Sequence, residues 1–235
     1  MNVVNLELLQ HYGLMATTVS GRGQHRSQQR SSYHHGDLPN ALTDAATEMA
    51  RAGGPDAVVL RAAARATGVS AAAAYRHFAD HGALLSAVRQ RALGALADAM
   101  RASLEASEPL ADPAQESIRR LRALGSAYLG FALNDPGLFR TAFCRCPDQP
   151  MSEAAEHPEN GPFALVSGVL DDLVENGVLA AHRRPNAEIA AWAAVHGLAT
   201  LLLDGPLSLL DEQERANAMA KTSEFILAGI TAREI

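Results

Sequence analysis

Leu60-Arg61-Ala62-Ala63-Ala64-Arg65-Ala66-Thr67-Gly68-Val69-Ser70, continued by Ala71–Ala74 and Tyr75-Arg76-His77-Phe78, is the stretch that decides the fold. Alanine dominates it, and alanine is the best helix former and a poor strand former. Gly68 interrupts the run, and glycine takes the left-handed conformation of a tight turn at no steric cost. Ser70 is a good N-cap for whatever helix follows. The stretch therefore reads as two short helices, Leu60–Thr67 and Ser70–Phe78, joined by a three-to-four-residue turn containing glycine, which is a helix-turn-helix. In such a motif the second helix enters the major groove and its first residues approach the base edges.

Working outward, the pattern stays helical. Asp37 is suited to cap a first helix, with Pro39 in its first turn and Leu38, Leu42, Ala45 and Met49 on one face. Gly53-Gly54 and Pro55 end it. Asp80 is placed to cap a long helix running to about Ala106, with Leu84, Leu85, Val88, Leu93 and Leu96 on its apolar side. Beyond a loop at Glu108–Pro113, helices are predicted over Ala114–Leu133, Pro136–Phe143, Phe163–Asn176, Ala187–Leu203 and Asp211–Gly229, with a proline-rich loop over Cys146–Gly161. No segment alternates like a strand, so the predicted class is all-α. Residues 1–33 read as a poorly ordered basic arm carrying Arg22, Arg26 and Arg30, or as a leader without function. Residues 34–80 read as the helix-turn-helix domain, and 81–235 as a helical domain.

Composition narrows the function. The 235 residues are 48% hydrophobic, enough for a sizeable core, and carry a formal net charge of −6. That charge is unevenly spread: residues 20–80 hold seven Arg against five Asp and Glu, so a mildly basic module sits on an acidic body. Two cysteines, Cys144 and Cys146, cannot build a disulfide framework; a thiol sensor is the functional reading and incidental cysteines the plainer one. The start of the chain lacks the pattern of a signal peptide, and the uncharged run Ile189–Leu203 is shorter than a membrane span, so a cytoplasmic protein with no membrane association is expected. There is no phosphate-binding glycine loop, no nucleophile elbow, no metal-ligand spacing and no obvious acid–base pair. An enzyme is not expected, nor a cofactor, nor a metal.

Residues 34–85 resemble the N-terminal domain of TetR-family regulators, through the string from Leu60 to Phe78 followed by Ala79-Asp80 and Leu84-Leu85. Trp192-Ala193-Ala194-Val195-His196-Gly197 resembles the Trp–His–Gly signature of one C-terminal subfamily, and Ala127–Ala132 with Asn134–Phe139 resemble its middle helices. The resemblance implies a homodimer, one recognition helix per subunit, and a C-terminal core that binds a small effector and thereby alters DNA affinity. It also implies repression as the usual outcome. Four residues depart from the family pattern. Val59 stands where Ser or Thr usually precedes the second helix, a lost cap worth ~1 kcal/mol. Ala63 and Ala74 replace larger aliphatics. His81 replaces a lysine at the start of the fourth helix, and neutral imidazole is a weaker phosphate partner.

On this reading the DNA-binding residues are Arg61, Thr67, Ser70, Ala71, Ala72, Ala73, Tyr75, Arg76, His77 and His81. The alanines offer methyl contact to thymine, Ser70 and Thr67 offer hydroxyls, and Arg61 or Arg76 contributes with DNA shape. Tyr75, Arg76 and His77 are phosphate candidates that set register, and the resemblance supports Tyr75 and His77 in that role. A dimer reads a pseudo-palindromic duplex with half-sites on the order of 34–36 Å apart.

The expected effector site gathers Tyr128, Phe131, Phe139, Phe143, Trp192 and His196 from three predicted helices, an apolar wall with few polar groups. The same aromatics also suit plain core filling. Ala187–Leu203 is apolar nearly all round and so must be buried. With the last helix it is expected to pair across a dimer through Ile189, Leu198, Leu202, Met219 and Ile226, unless it is buried within one subunit. The alternative to a ligand-responsive regulator is a helical adaptor or small-molecule-binding protein that has lost DNA binding.

Overall fold

The computed structural model describes residues 37–144 and 161–231, and every regular element among them is helical. The expected arm 1–33 and most of the proline-rich loop, with Cys146, lie outside the described residues.

The first helix, α1, spans Leu38–Gly53 and buries Leu42, Ala46 and Ala50 completely. Its buried face is centred on these residues with Thr43 and Thr47, while Ala45 and Met49 sit at its margin. The two threonines are tolerated there because their hydroxyls donate to the carbonyls of Pro39 and Thr43, each at 2.8 Å. Asp37 does not cap this helix as expected; its carboxylate instead accepts from the Asn40 amide at 2.7 Å.

Helix α2 spans Leu60–Ala66 and α3 spans Ala71–Ala74, with α4 over His81–Glu105. The turn between α2 and α3 is closed by Val69 N–H donating to the Ala64 carbonyl at 2.9 Å and Gly68 N–H to Arg65 at 3.1 Å. That double closure needs a left-handed residue, which Gly68 supplies at φ +73°. Ser70 Oγ accepts from Ala73 N–H at 3.1 Å, and Asp80 Oδ1 from Ala83 N–H at 2.8 Å, so both expected caps form. The expected second helix, Ser70–Phe78, is shorter than predicted. After Ala74 the chain continues as turns, with Arg76 and His77 N–H donating three residues back to Ala73 and Ala74.

The remaining helices are α5 (Pro113–Asn134), α6 (Pro136–Ala142), α7 (Pro162–Glu175), α8 (Ala187–Leu203) and α9 (Glu212–Thr231). Two hydrophobic cores result. One joins α1, α2, α3 and the first half of α4, through Leu42, Ala63, Ala74, Leu84, Val88 and Ala92. The other joins the second half of α4 to α5, α7, α8 and α9, through Leu96, Met100, Leu124, Leu170, Leu198 and Leu227. Helix α4 passes from one core to the other between Ala92 and Leu96, because one face of it is buried from Leu84 to Met100.

Helix α6 belongs to both cores. Leu138 and Ala142 pack with the first, and Phe139 with the second. Its start lies hard against the last turn of α1: a Cβ added at Gly137 would meet the carbonyl oxygens of Ala50 and Arg51 at 2.3 Å each. Polar ties hold it from three sides. Arg51 Nε donates to Asp135 at 3.0 Å, Arg89 Nε to the Ala142 carbonyl at 3.2 Å, and Arg140 forms a forked pair with Asp204, its shortest contact 2.6 Å.

Candidate nucleic-acid interface and effector core

The helix-turn-helix presents Arg61, Ser70, Ala72, Tyr75, Arg76 and His77 to solvent, with Ala71 and Ala73 half-buried. Tyr75 is 44% exposed, so it is not a buried aromatic, while Phe78 beside it is buried in the first core. Several arginines outside the motif are engaged: Arg89 and Arg215 donate to the main-chain carbonyls of Ala142 and Leu210. Arg91, Arg119, Arg140 and Arg184 are each held by a carboxylate. Arg61, Arg65 and Arg76 are exposed and have no ion pair among the described residues. Unpaired cations on a turn-capped helix pair are what a phosphate backbone neutralises. Arg65 was absent from the residues expected here; only tertiary structure distinguishes an unpaired arginine from one with an acid nearby.

Two expected contacts fare differently. Thr67 is buried, and its hydroxyl is shared between the carbonyls of Ala63 at 3.0 Å and Ala64 at 3.1 Å. It therefore closes α2 and has no hydroxyl to offer a base. His81 is exposed, but its Nε2 lies 2.8 Å from the Val58 carbonyl. With Nε2 turned to that carbonyl, only Nδ1 is left to face a phosphate. Val59 is 46% exposed and leaves α2 without a side-chain cap, as its residue type implies.

In the second core five of the six expected effector residues converge. The Phe143 and His196 ring centres are 4.8 Å apart, Phe139 and Phe143 5.0 Å, and Trp192 and His196 5.7 Å. Tyr128 meets Phe139 edge to face at 5.6 Å. Phe131 packs against both cores but makes no ring contact with the others. The polar tips form a chain: Trp192 Nε1–H donates to Tyr128 Oη at 3.1 Å, which lies 2.7 Å from His196 Nδ1. Burial pushes the Tyr128 phenol well above its ordinary range and the His196 imidazole below its own, favouring the neutral form of each. A separate cleft of about 420 Å³ opens between α4 and α5, lined by Arg101, Leu104, Glu116, Arg119 and Arg120 among others. Arg119 and Arg120 are spoken for by Glu116 and Asp172.

The residues expected at a dimer contact do not share one face. Leu198 and Leu202 are buried in the subunit's own core, and Met219 and Ile226 pack partly against it. Only Ile189, 52% exposed, points outward. The outward large apolar residues of α8 and α9 are Ile189, Leu201, Trp192 at 36% exposure and, most of all, Phe225 at 78%. Helical spacing marks α8 as buried all round, but not which side the subunit covers. Cys144 is half-buried against the first core. Among the described residues no cluster of His, Cys, Asp or Glu is suited to hold a metal, and no helix is long and apolar enough to cross a membrane.

A helix-turn-helix with unpaired arginines, joined through a shared helix to an aromatic core, defines a DNA-binding regulator of the two-part helical type. Residues 42–88 match the family model described as bacterial regulatory proteins, tetR family, and residues 121–222 match the tetracyclin repressor-like C-terminal domain. The chain belongs to the TetR family of transcriptional regulators. Members of that family are DNA-binding proteins that dimerise, and they are not enzymes. Among solved structures, a protein of unknown function from Rhodococcus sp. RHA1 is 25% identical over 86% of this chain and 100% of its own, with a TM-score of 0.66. A TetR family transcription regulator from Marinobacter aquaeolei VT8 is 19% identical over 80% of this chain and 94% of its own, with a TM-score of 0.52; this second likeness shows the fold alone. No curated protein matches the sequence.

Proposed function

We propose that this regulator is a homodimeric repressor released from its operator by a small molecule bound at the Tyr128–Phe139–Phe143–Trp192–His196 cluster. The observation that carries the reading is the shared membership of α6: residues of this short helix pack into the DNA-binding core (Leu138, Ala142) and the aromatic cluster (Phe139), and Phe143 at its C-cap touches both cores. A ligand that displaces Phe139 or Phe143 acts directly on a helix wedged against α1 and α4. Packed cores respond to such displacement by stepping between discrete arrangements. The DNA contacts are Arg61, Arg65, Tyr75, Arg76 and His77, with methyl contacts from Ala71, Ala72 and Ala73 and a hydroxyl from Ser70. The dimer forms through the outward faces of α8 and α9, around Ile189, Leu201 and Phe225. Three exposed arginines on the helix-turn-helix, Arg61, Arg65 and Arg76, favour DNA binding over an adaptor that has lost it.

The test is a titration of the full chain against the duplex flanking its own gene, at two salt concentrations, with unrelated competitor. Competitor-resistant binding that weakens with salt supports the reading, and the same assay then serves to find releasing compounds. Equal, feeble binding to every duplex, including a genomic pool, overturns it.

A further inference from the structure

The polarity of the Trp192–Tyr128–His196 chain determines which hydrogen His196 has to offer. This deepens the effector reading above and rests on it. An indole nitrogen only donates, so Tyr128 Oη accepts from Trp192 at 3.1 Å. The phenol is protonated, and its own hydrogen then goes to His196 Nδ1 at 2.7 Å. The opposite polarity strands the phenolic hydrogen, because Tyr128 is 4% exposed and has no other acceptor among the described residues. A neutral imidazole that accepts at Nδ1 carries its hydrogen on Nε2. That N–H has no hydrogen-bond partner among the described residues. No fully buried side-chain nitrogen or oxygen among them lacks a partner, so Nε2, which has none, is not fully buried. The rings of Phe143, Phe139 and Trp192 stand 4.8, 5.6 and 5.7 Å from the imidazole.

We propose that His196 Nε2–H is the polar recognition point of the effector, donating to the carbonyl-type acceptor of an uncharged, flat, apolar molecule that lies against Phe139, Phe143 and Trp192. A single directed donor in an aromatic wall orients such a ligand. A molecule without the acceptor leaves the N–H desolvated and unpaired, which is the strongest basis for rejection a small site has. Among the described residues the rings around His196 are the uncharged Phe139, Phe143 and Trp192, so a carboxylate meets no cation on this wall.

Trp192 is the sole tryptophan, so its indole N–H gives one side-chain resonance in the 15N-labelled full chain. Acetophenone and α-methylstyrene are titrated against that signal; they share a shape and differ in C=O against C=CH2. Benzoate is the anionic probe. In going from the wild type to His196→Phe, acetophenone is expected to lose about tenfold relative to α-methylstyrene. His196→Gln, which keeps an N–H donor, retains the preference, and benzoate binds more weakly than acetophenone. A ratio unchanged by His196→Phe overturns the donor while the effector site stands. Tighter binding of benzoate overturns the uncharged class. Failure of all three probes to move the resonance overturns the site itself. The 15N shifts of His196 in the unmutated chain need no variant to fold: the Nε2–H tautomer is expected, and Nδ1–H refutes the assignment.

Discussion

Replacing Gly137 by alanine tests whether α6 rests on α1 as closely as the coupling argument requires. The new Cβ would lie 2.3 Å from the carbonyl oxygens of Ala50 and Arg51 and 2.8 Å from the Arg51 carbonyl carbon. Real Cβ atoms essentially never approach closer than 3.0 Å, so the two helices must part by about 0.7 Å. All three atoms are backbone, and no rotamer change relieves the clash. Overpacking of this kind costs ~1–3 kcal/mol. In a chain of this size that corresponds to roughly 2–4 °C of melting temperature per kcal/mol. Urea denaturation at one fixed protomer concentration is the assay, because a dimer's stability depends on concentration. Gly94→Ala is the control. Its Cβ meets nothing within 4 Å on an exposed stretch of α4, so it should gain ~0.5–1 kcal/mol from helix propensity. If Gly137→Ala proves as stable as the wild type, α6 does not sit on the α1 backbone and the proposed route from effector to DNA fails. If it is destabilised as expected, operator affinity should also change, since Leu138 and Ala142 move with the helix.

Val59→Thr should stabilise the chain by ~0.5–1 kcal/mol in the same denaturation assay, because Val59 is half-exposed, has extended backbone geometry and leaves α2 uncapped; no gain means that water already satisfies those N–H groups. Tyr75→Phe and Arg76→Ala should each weaken operator binding without altering the mass measured by light scattering, and loss of Arg76 should make the salt dependence shallower by about one ion. Unchanged affinity removes the residue from the interface. For His196 the folded-state pKa lies below the ordinary value of 6.5, so the unfolded chain takes up a proton that the native site resists. Its contribution to stability is therefore intact above that value and is lost as pH falls below it. His196→Gln should flatten this part of the stability–pH curve, and an identical slope in both proteins shows that His196 protonates as freely folded as unfolded. Glu116 is held near a pKa of about 2, first by Arg119 and then by the Leu110 N–H. Glu116→Gln should thus reduce the acid sensitivity seen between its ordinary 4.5 and about 2.

The aromatic cluster shows how far residue types alone carried the reading. Tyr128, Phe139, Phe143, Trp192 and His196 could be grouped from residue type on three predicted helices, with Trp192 and His196 four apart on one helix face. Their hydrogen-bond polarity could not be read there, because it depends on which atom of a ring meets which atom of another helix 64 and 68 residues away. Thr67 makes the same point at the DNA end. Its type suggested a hydroxyl for a base, but back-bonding to Ala63 and Ala64 consumes it. Phe225 went unremarked because nothing in a local pattern tells an outward phenylalanine from a buried one.

The sequence by itself determined what acts over one turn of chain: the helices, the Gly68 turn, the Ser70 and Asp80 caps, and hence the helix-turn-helix. Those features arise between residues a few positions apart, where composition and spacing suffice. Only the tertiary structure decided which arginines lack a carboxylate, which face of α8 the subunit covers, and that α6 is common to both cores. Each of these depends on contacts between segments distant in sequence, where close packing admits one arrangement of side chains and local propensity distinguishes none.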